Sequence, residues 1–229
     1  MSIVIGCTFG RKEPPATEQV GRPQEPATPI RLPEPQREGK TSVEEALLKR
    51  RSVRDYRDEP LTLAQVAQLL WAAQGITSPD GFRTAPSAGA LYPLEIYVVA
   101  GNVEGMAAGV YRYRPGEHSL APVAAGDRRR ELSAVALEQA CIREAAVDLV
   151  FAGVYERTTK KYGERGVRYV YMEVGHAAQN VYLQAVSLGL GAVVVGAFED
   201  DKVQTVVGMA ADERPLYIMA IGKGKGTRG

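Results

Sequence analysis

Three arginines and one serine lie within five residues, in the run Arg50-Arg51-Ser52-Val53-Arg54. Guanidinium groups match phosphate oxygens bidentately, and a neighbouring hydroxyl can add a further hydrogen bond. The run is therefore a candidate site for a large, phosphate-bearing anion. A solvated basic helix face is the alternative interpretation of such a run.

Two other stretches could supply the remaining parts of such a site. Residues 85–93, with the sequence APSAGALYP, form a loop of small residues that lets backbone amides approach a flat ligand while Ser87 hydrogen-bonds to it. Residues 222–225 place two ammonium groups, those of Lys223 and Lys225, on a glycine-spaced tail. An ordinary turn and a solvated tail are the respective alternatives.

Composition excludes several classes of protein. The 229 residues are 45% hydrophobic, which suits one domain with a substantial core. The 28 basic and 27 acidic residues nearly cancel, so no global field favours a nucleic acid or an anionic membrane. Two cysteines and two histidines argue against a disulfide framework or a metal site, and no apolar run approaches the roughly 20 residues of a membrane span.

The amino-terminal part is predicted to be a flexible arm. Residues 8–40 contain seven prolines and few apolar residues, which predicts a flexible arm over 1–40 and a folded domain over 41–229. The run Val4-Ile5-Gly6-Cys7 has the form of a lipoprotein cleavage box, although the segment before it is too short for a signal peptide. Either an upstream signal is missing and Cys7 bears a lipid outside the cytoplasmic membrane, or Cys7 is an unimportant thiol of a cytoplasmic protein.

Helix-start signals place the candidate residues. Overlapping capping boxes at Thr41 and Ser42 predict a helix that ends near Arg51, at the basic run, and a box at Thr62 starts a second helix that ends at Gly75. Further helices are predicted over 127–141, 167–188 and 200–209, and strands over 94–100, 110–113, 119–123, 147–154, 192–198 and 216–221. Because the elements do not alternate strictly and no Gly-x-Gly-x-x-Gly joins a strand to a helix, the predicted class is α+β.

Taken together, the Arg-Arg-Ser-x-Arg helix end, the Pro-Ser loop and the late basic run resemble the FMN-dependent nitroreductase family over residues 43–225. Residues 85–93 and 173–180 are most similar to its SagB-type branch, the azoline dehydrogenases that make thiazoles and oxazoles in peptides. The resemblance implies a nitroreductase-like fold, with a central, mostly antiparallel sheet flanked by helices. It also implies an intertwined homodimer in which each FMN site is built across the interface.

The resemblance assigns roles to the basic run. Arg50 and Ser52 would bind the FMN phosphate, Arg51 would lie along the ribityl chain, and Arg54 would approach the pyrimidine edge of the flavin ring. A fixed cation at that edge stabilises the negative charge of the reduced flavin.

The resemblance also implies contacts from the loops. Three further groups of residues would complete the site. The Pro-Ser loop of the partner subunit would contribute Pro86, Ser87, Gly89 and Leu91. The backbone of Gly196 and Ala197 would face flavin N5 and O4, and Lys223 and Lys225 of the basic tail would complete the phosphate site. Nitroreductases proper continue the Pro-Ser loop with an asparagine and a glutamine that touch the flavin, whereas this chain has Ala90 and Tyr92. Some ring contacts must therefore differ.

Lys161 and Tyr162 resemble the Lys-Tyr pair that azoline dehydrogenases use as base and proton relay. A base is needed because dehydrogenation removes a proton from carbon while a hydride leaves. A lysine-rich helix start is an equally compatible interpretation. His176, on the long helix, is expected to pack in the core.

The function implied is that of an FMN-dependent oxidoreductase that passes hydride through flavin N5. It would either reduce nitro or quinone compounds with NAD(P)H or dehydrogenate a small-molecule or peptide heterocycle in the SagB manner. A flavin-binding or flavin-storage protein without catalysis is the alternative.

Overall fold

The computed structural model describes residues 28–225, whose strands form one seven-stranded sheet. The strands are β1 Ile30–Arg31, β2 Leu94–Ala100, β3 Gly109–Arg114, β4 Ser119–Ala125, β5 Val147–Gly153, β6 Gly191–Val195 and β7 Arg214–Gly222. Their order is β1-β4-β3-β2-β5-β7-β6, and every neighbouring pair is antiparallel. The predicted antiparallel sheet is confirmed.

Seven α-helices flank the sheet within the described residues. They are α1 Val43–Lys49, α2 Leu63–Gln74, α3 Arg129–Val135, α4 Ala140–Glu144, α5 Tyr155–Tyr162, α6 Arg165–Ser187 and α7 Asp200–Val207. A short 3-10 turn spans Ala88–Ala90 in the Pro-Ser loop. Because the helices and strands do not alternate strictly along the chain, the α+β class is confirmed.

The sheet is buried on both faces. On β5, Phe151 lies in a core cluster with Val174 of α6, while the adjacent Val150 lies in a second cluster with Ile142 of α4. This alternation follows from the two-residue period of a strand. Because each buried aliphatic or aromatic side chain contributes about 1.5–3 kcal/mol, both clusters hold the sheet rigid beneath the surface loops.

The predicted helix starts are confirmed. The Ser42 hydroxyl accepts a hydrogen bond from the Glu45 N–H at 3.1 Å and caps α1. At α2, the Thr62 hydroxyl accepts from the Gln65 N–H, and the Gln65 side chain accepts from the Thr62 N–H, which completes a capping box. These caps fix the starts of α1 and α2, the two helices that flank the basic run.

The folded body begins before Thr41, the predicted start. Ile30 and Arg31 pair with β4, Leu32 is buried, and the Gln36 N–H donates to the Gln68 side chain at 2.8 Å. These contacts place residues 30–36 on the folded body, so the arm predicted over 1–40 is wrong for this part. The remainder of that prediction, including Cys7, falls outside the described residues.

Two helix predictions need correction. The helix predicted over 127–141 is divided into α3 and α4, because Leu137 and Glu138 both adopt a φ of 56°. The sequence also missed α5, whose residues were assigned to the approach to the long helix. Within residues 28–225, none of the helices is both long and apolar enough to cross a membrane.

Candidate functional site

The basic run extends from the end of α1 along the edge of the sheet. Ser52 forms a parallel bridge with Ala192 of β6, and the Val53 N–H donates to the Ala192 carbonyl at 2.9 Å. Arg50 lies over the ring of Tyr182 on α6, 5.3 Å from its centre. Because side chains alternate in extended chain, Ser52 and Arg54 are expected on the same side as Arg50.

Arg51 is placed differently from its neighbours. Its guanidinium donates to the Leu48 carbonyl at 2.9 Å and to the Arg50 carbonyl at 2.8 Å. A cation at the carboxyl end of a helix satisfies carbonyls that have no partner within the helix. Arg51 is thus occupied in capping α1.

The basic tail lies directly beside the basic run. Tyr56 forms an antiparallel bridge with Gly224, and the Lys225 N–H donates to the Asp55 carbonyl at 3.0 Å. The basic run and the basic tail therefore meet at one edge of the sheet. The Lys223 ammonium is paired with the Glu59 carboxylate at 3.1 Å, whereas Lys225 is exposed.

The Pro-Ser loop folds on itself and is attached to the central helix. The Ser87 hydroxyl accepts from the Tyr92 N–H at 2.9 Å, which closes the loop around Pro86 to Leu91. The Ala88 N–H donates to the Glu173 carboxylate of α6 at 2.9 Å. Burial raises the pKa of Glu173, and its hydrogen bonds with the Ala88 N–H and Ser87 oppose that rise.

Lys161 and Tyr162 lie over this loop, at the end of α5. Gly89 has a φ of 64°, and a Cβ added there would lie 2.7 Å from Tyr162 Oη and 2.8 Å from Lys161 Nζ. Only a residue without a side chain lets these two groups approach the loop so closely. An amine and a phenol are thus held together against the backbone of the Pro-Ser loop.

Lys161 also differs from the neighbouring Lys160 in its ion pairing. Lys160 pairs with Glu156 one turn earlier, at 3.5 Å. Lys161 has no carboxylate within salt-bridge distance among residues 28–225, and its ammonium lies 5.4 Å from the centre of the Tyr162 ring. Tyr162 in turn packs edge-on against Tyr169, with ring centres 5.2 Å apart. Aromatic contacts therefore orient the pair.

Gly196 and Ala197 follow β6 and are exposed. The Ala197 carbonyl accepts from the Gln139 side chain at 3.2 Å, and the Tyr217 ring is the nearest group to the Cβ position of Gly196. Gly196 also lines a cavity of about 450 Å³ together with Tyr155, Tyr171, Phe198 and Arg214.

The residues named from the sequence thus form two groups. The basic run and tail lie at the β6 edge, and the Pro-Ser loop lies with Lys161 and Tyr162 at α5. Both groups contact α6, one through Tyr182 and the other through Glu173, which are nine residues, or about 14 Å, apart along the helix.

Neither Glu173 nor Arg157 was assigned a role from the sequence, although both hold the Pro-Ser loop. The Arg157 guanidinium of α5 donates to the Tyr92 carbonyl at 3.0 Å and pairs with Glu95 of β2. No sequence pattern singles out these contacts. His176, expected in the core, is exposed.

A model of the family described as "Nitroreductase family" matches residues 47–223, most of the chain. The chain belongs to the nitroreductase family. The predicted resemblance is confirmed, and the nitroreductase-like fold is confirmed by solved structures. A nitroreductase-family structure from Ralstonia eutropha has a TM-score of 0.76 at 31% identity and covers 90% of this chain and 96% of its own.

Other nitroreductase relatives extend the comparison. MJ1384 of Methanocaldococcus jannaschii, which is named for the same family, is 50% identical over 79% of this chain and 90% of its own length. The microcin B17-processing protein McbC of Escherichia coli is 32% identical over 71% of this chain. An Anabaena variabilis structure has a TM-score of 0.72 at 32% identity over 80% of this chain. The chain spans 62% of McbC and 38% of the Anabaena chain.

Proposed function

We propose that this nitroreductase-family protein is an FMN-dependent oxidoreductase that dehydrogenates an azoline ring in a peptide. The observation that carries the proposal is the convergence of Lys161 Nζ and Tyr162 Oη on Gly89 of the Pro-Ser loop. That contact joins two of the features that resemble the SagB-type branch, and they are far apart in the sequence.

The residues at the β6 edge suit the phosphate of FMN. Arg50, Ser52 and Arg54 bring two guanidinium groups and a hydroxyl to one short segment at this edge, and Lys225 lies on the adjacent tail. Such charge-assisted donors bind phosphate more strongly than neutral donors do. Arg51 and Lys223 already have protein partners, so we assign them smaller contributions.

The Pro-Ser loop presents small residues beside the candidate pair. Gly89 lets the Lys161 and Tyr162 side chains approach the loop backbone, and Ser87 and Leu91 flank it. We infer that the loop reaches the flavin of a partner subunit in a homodimer, as the family resemblance implies. Gly196 and Ala197 would then present their backbone to the ring from the β6 side. Bound FMN would supply the hydride acceptor, at N5.

Lys161 and Tyr162 would move the proton. Oxidation of an azoline to an azole removes one hydride and one proton, so the proton needs a base near the ring. Lys161 and the Tyr162 hydroxyl beside it would take up this proton and pass it to solvent. Lys161 has the exposure that this release needs.

The family relationships support both directions of hydride transfer. McbC is named for microcin B17 processing, and it supports a peptide substrate for this chain. MJ1384 is named only for the nitroreductase family, which keeps NAD(P)H-linked reduction of nitro or quinone compounds as the second candidate. The proton-transfer pair favours dehydrogenation, because a nitro group can take its protons from water.

Kinetics of purified variants test the proposal. The wild-type protein should be yellow and should oxidise a thiazoline-containing peptide in air. Lys161→Ala and Tyr162→Phe should each lower kcat at least about 100-fold, with unchanged FMN content. Lys160→Ala is the matched control, because Lys160 pairs with Glu156 and should leave turnover unchanged.

Each other outcome identifies a different function. If Lys161→Ala retains turnover, the proposed catalytic role of Lys161 and Tyr162 is wrong. Reduction of a nitrofuran by NADH or NADPH without peptide oxidation favours the reductase. A bound flavin that no donor bleaches and no peptide reduces leaves the flavin-storage alternative.

A further inference from the structure

A cavity of about 330 Å³ lies beside the end of the Pro-Ser loop, apart from the residues assigned so far. We call it the hairpin cavity, because the β3–β4 hairpin forms one wall and the start of β2 another. Its charged and aromatic lining consists of Arg83, Glu95, Arg112, Tyr113, Arg114 and Glu117.

Most charges around the hairpin cavity neutralise each other. Arg112 pairs with Glu95 at 3.1 Å and with the buried Glu213 at 3.2 Å. Arg157 pairs with Glu95 from the other side. The two carboxylates are thus matched by two guanidinium groups. They would neither attract nor strongly repel an incoming anion.

Arg83 carries the charge that remains. Arg114 lies 3.7 Å from Glu117, whereas Arg83 has no carboxylate within salt-bridge distance in the part of the chain that the structure describes. Burial lowers the pKa of Arg83, and the nearby Glu95 opposes this effect. A half-buried cation without a counter-ion is costly, and an anion in the cavity would offset that cost.

Arg83 is also held in a fixed position. Its guanidinium donates to the Gln74 side chain at 2.9 Å and stacks on the Tyr92 ring, 4.3 Å from the ring centre. These contacts use one guanidinium nitrogen and one face of the plane. Its remaining donors have no acceptor among the described residues, so a planar anion could bind without reorganising the side chain.

We propose that the hairpin cavity binds a carboxylate of the substrate through Arg83. This inference rests on the proposed function and adds a substrate class, namely a peptide with a carboxylate close to the ring that is oxidised. Arg83 stacks on the ring of Tyr92, and the Tyr92 carbonyl accepts a hydrogen bond from Arg157, which lies one turn before Lys161 on α5. The hairpin cavity and the candidate pair therefore adjoin the same loop and the same helix.

Three synthetic thiazoline peptides test the proposal on the FMN-loaded protein. One has a glutamate beside the ring and an amidated carboxyl end, the second has a glutamine and a free carboxyl end, and the third has neither carboxylate. Titration calorimetry and steady-state kinetics give Kd, KM and kcat for each. Wild type should bind one carboxylate form at least about tenfold more tightly than the neutral form, which identifies the source of the carboxylate.

Variants separate recognition from support of the loop. Arg83→Gln should abolish the preference for the carboxylate form and leave kcat on the neutral peptide nearly unchanged, and Arg83→Lys should keep part of the preference. Arg143→Gln is the control, because Arg143 is exposed, pairs with Glu144 and does not line the cavity, and it should behave as wild type.

Equal Kd values for all three peptides in wild type, or a preference that survives in Arg83→Gln, would overturn the proposal. If wild type oxidises the neutral peptide but shows no preference, only this inference fails. If it oxidises none of the three, the proposed dehydrogenation fails, and the Kd values still decide whether the cavity binds a carboxylate.

Discussion

The carboxylate of Glu173 accepts a hydrogen bond from the backbone N–H of Ala88 at 2.9 Å. Through this bond the central helix holds the Pro-Ser loop at the place where Lys161 and Tyr162 meet it. Arg157 holds the other end of the loop through the Tyr92 carbonyl. The position of the candidate proton-transfer pair relative to the loop is therefore set by two polar contacts from two helices.

Removal of the Glu173 acceptor should loosen the loop. Glu173→Ala leaves the Ala88 N–H without its partner and should lower the free energy of unfolding by about 1–3 kcal/mol, whereas Glu173→Gln keeps an acceptor and should cost less than about 1 kcal/mol. Urea unfolding followed by circular dichroism measures both. Equal losses for the two variants would contradict the role assigned to this hydrogen bond.

Gly89→Ala should disable turnover by more than its backbone strain explains. The new Cβ would meet Tyr162 Oη and Lys161 Nζ, and the positive φ adds roughly 1–2 kcal/mol of strain. Gly81→Ala is the matched control, because Gly81 has a φ of 80° and open space around its Cβ position.

Both glycine variants should lose similar stability in a thermal melt, and only Gly89→Ala should lose peptide oxidation. Retained oxidation in Gly89→Ala would show that the contact with Lys161 and Tyr162 is not needed for the chemistry.

Arg50 and Arg51 should differ in their effect on the cofactor. Arg50→Gln removes a donor on the side of the run assigned to phosphate and should weaken FMN binding about 10- to 100-fold. Arg51→Gln removes contacts with the Leu48 and Arg50 carbonyls only and should change FMN affinity less than about threefold. Fluorescence titration of apoprotein with FMN gives both values, and a larger effect for Arg51 would reverse the assignment.

Asp148 should make the protein less stable as pH rises. Its side chain is completely buried on β5, neither oxygen has a hydrogen-bond partner among the described residues, and burial raises its pKa well above the ordinary value. The unfolded chain releases this proton near pH 4, whereas the folded protein retains it. The free energy of unfolding therefore falls as pH rises above about 4, until Asp148 ionises in the folded state.

Asp148→Asn should flatten that fall in urea unfolding measured from pH 4 to pH 8. Asp127→Asn is the control of opposite sign, because hydrogen bonds from Arg129 lower the pKa of Asp127, so its contribution is lost as pH falls. Parallel pH profiles for wild type and Asp148→Asn would show that Asp148 is ionised in the folded protein.

Much of the local structure could be predicted from the sequence, because it depends on neighbours in the chain. The Thr62 capping box and the apolar residues of α2 and α6 repeat at helical spacing and form helices where expected. The failures share a physical cause. The Tyr155–Tyr162 helix has a single buried residue, Thr158, and thus no apolar stripe, and β1 has only two residues within a proline-rich stretch.

The order of the amino acids establishes the residue types from which the site is built: a basic run, a Pro-Ser loop, a Lys-Tyr pair and a basic tail. Which of these segments contact one another depends on the packing of the fold. The sheet order places the tail beside the basic run and α5 over Gly89, whereas Arg51 turns back to the carbonyls of α1. Local propensities act over a few residues, but these contacts join segments that only the packing of α5 and α6 on the sheet brings together.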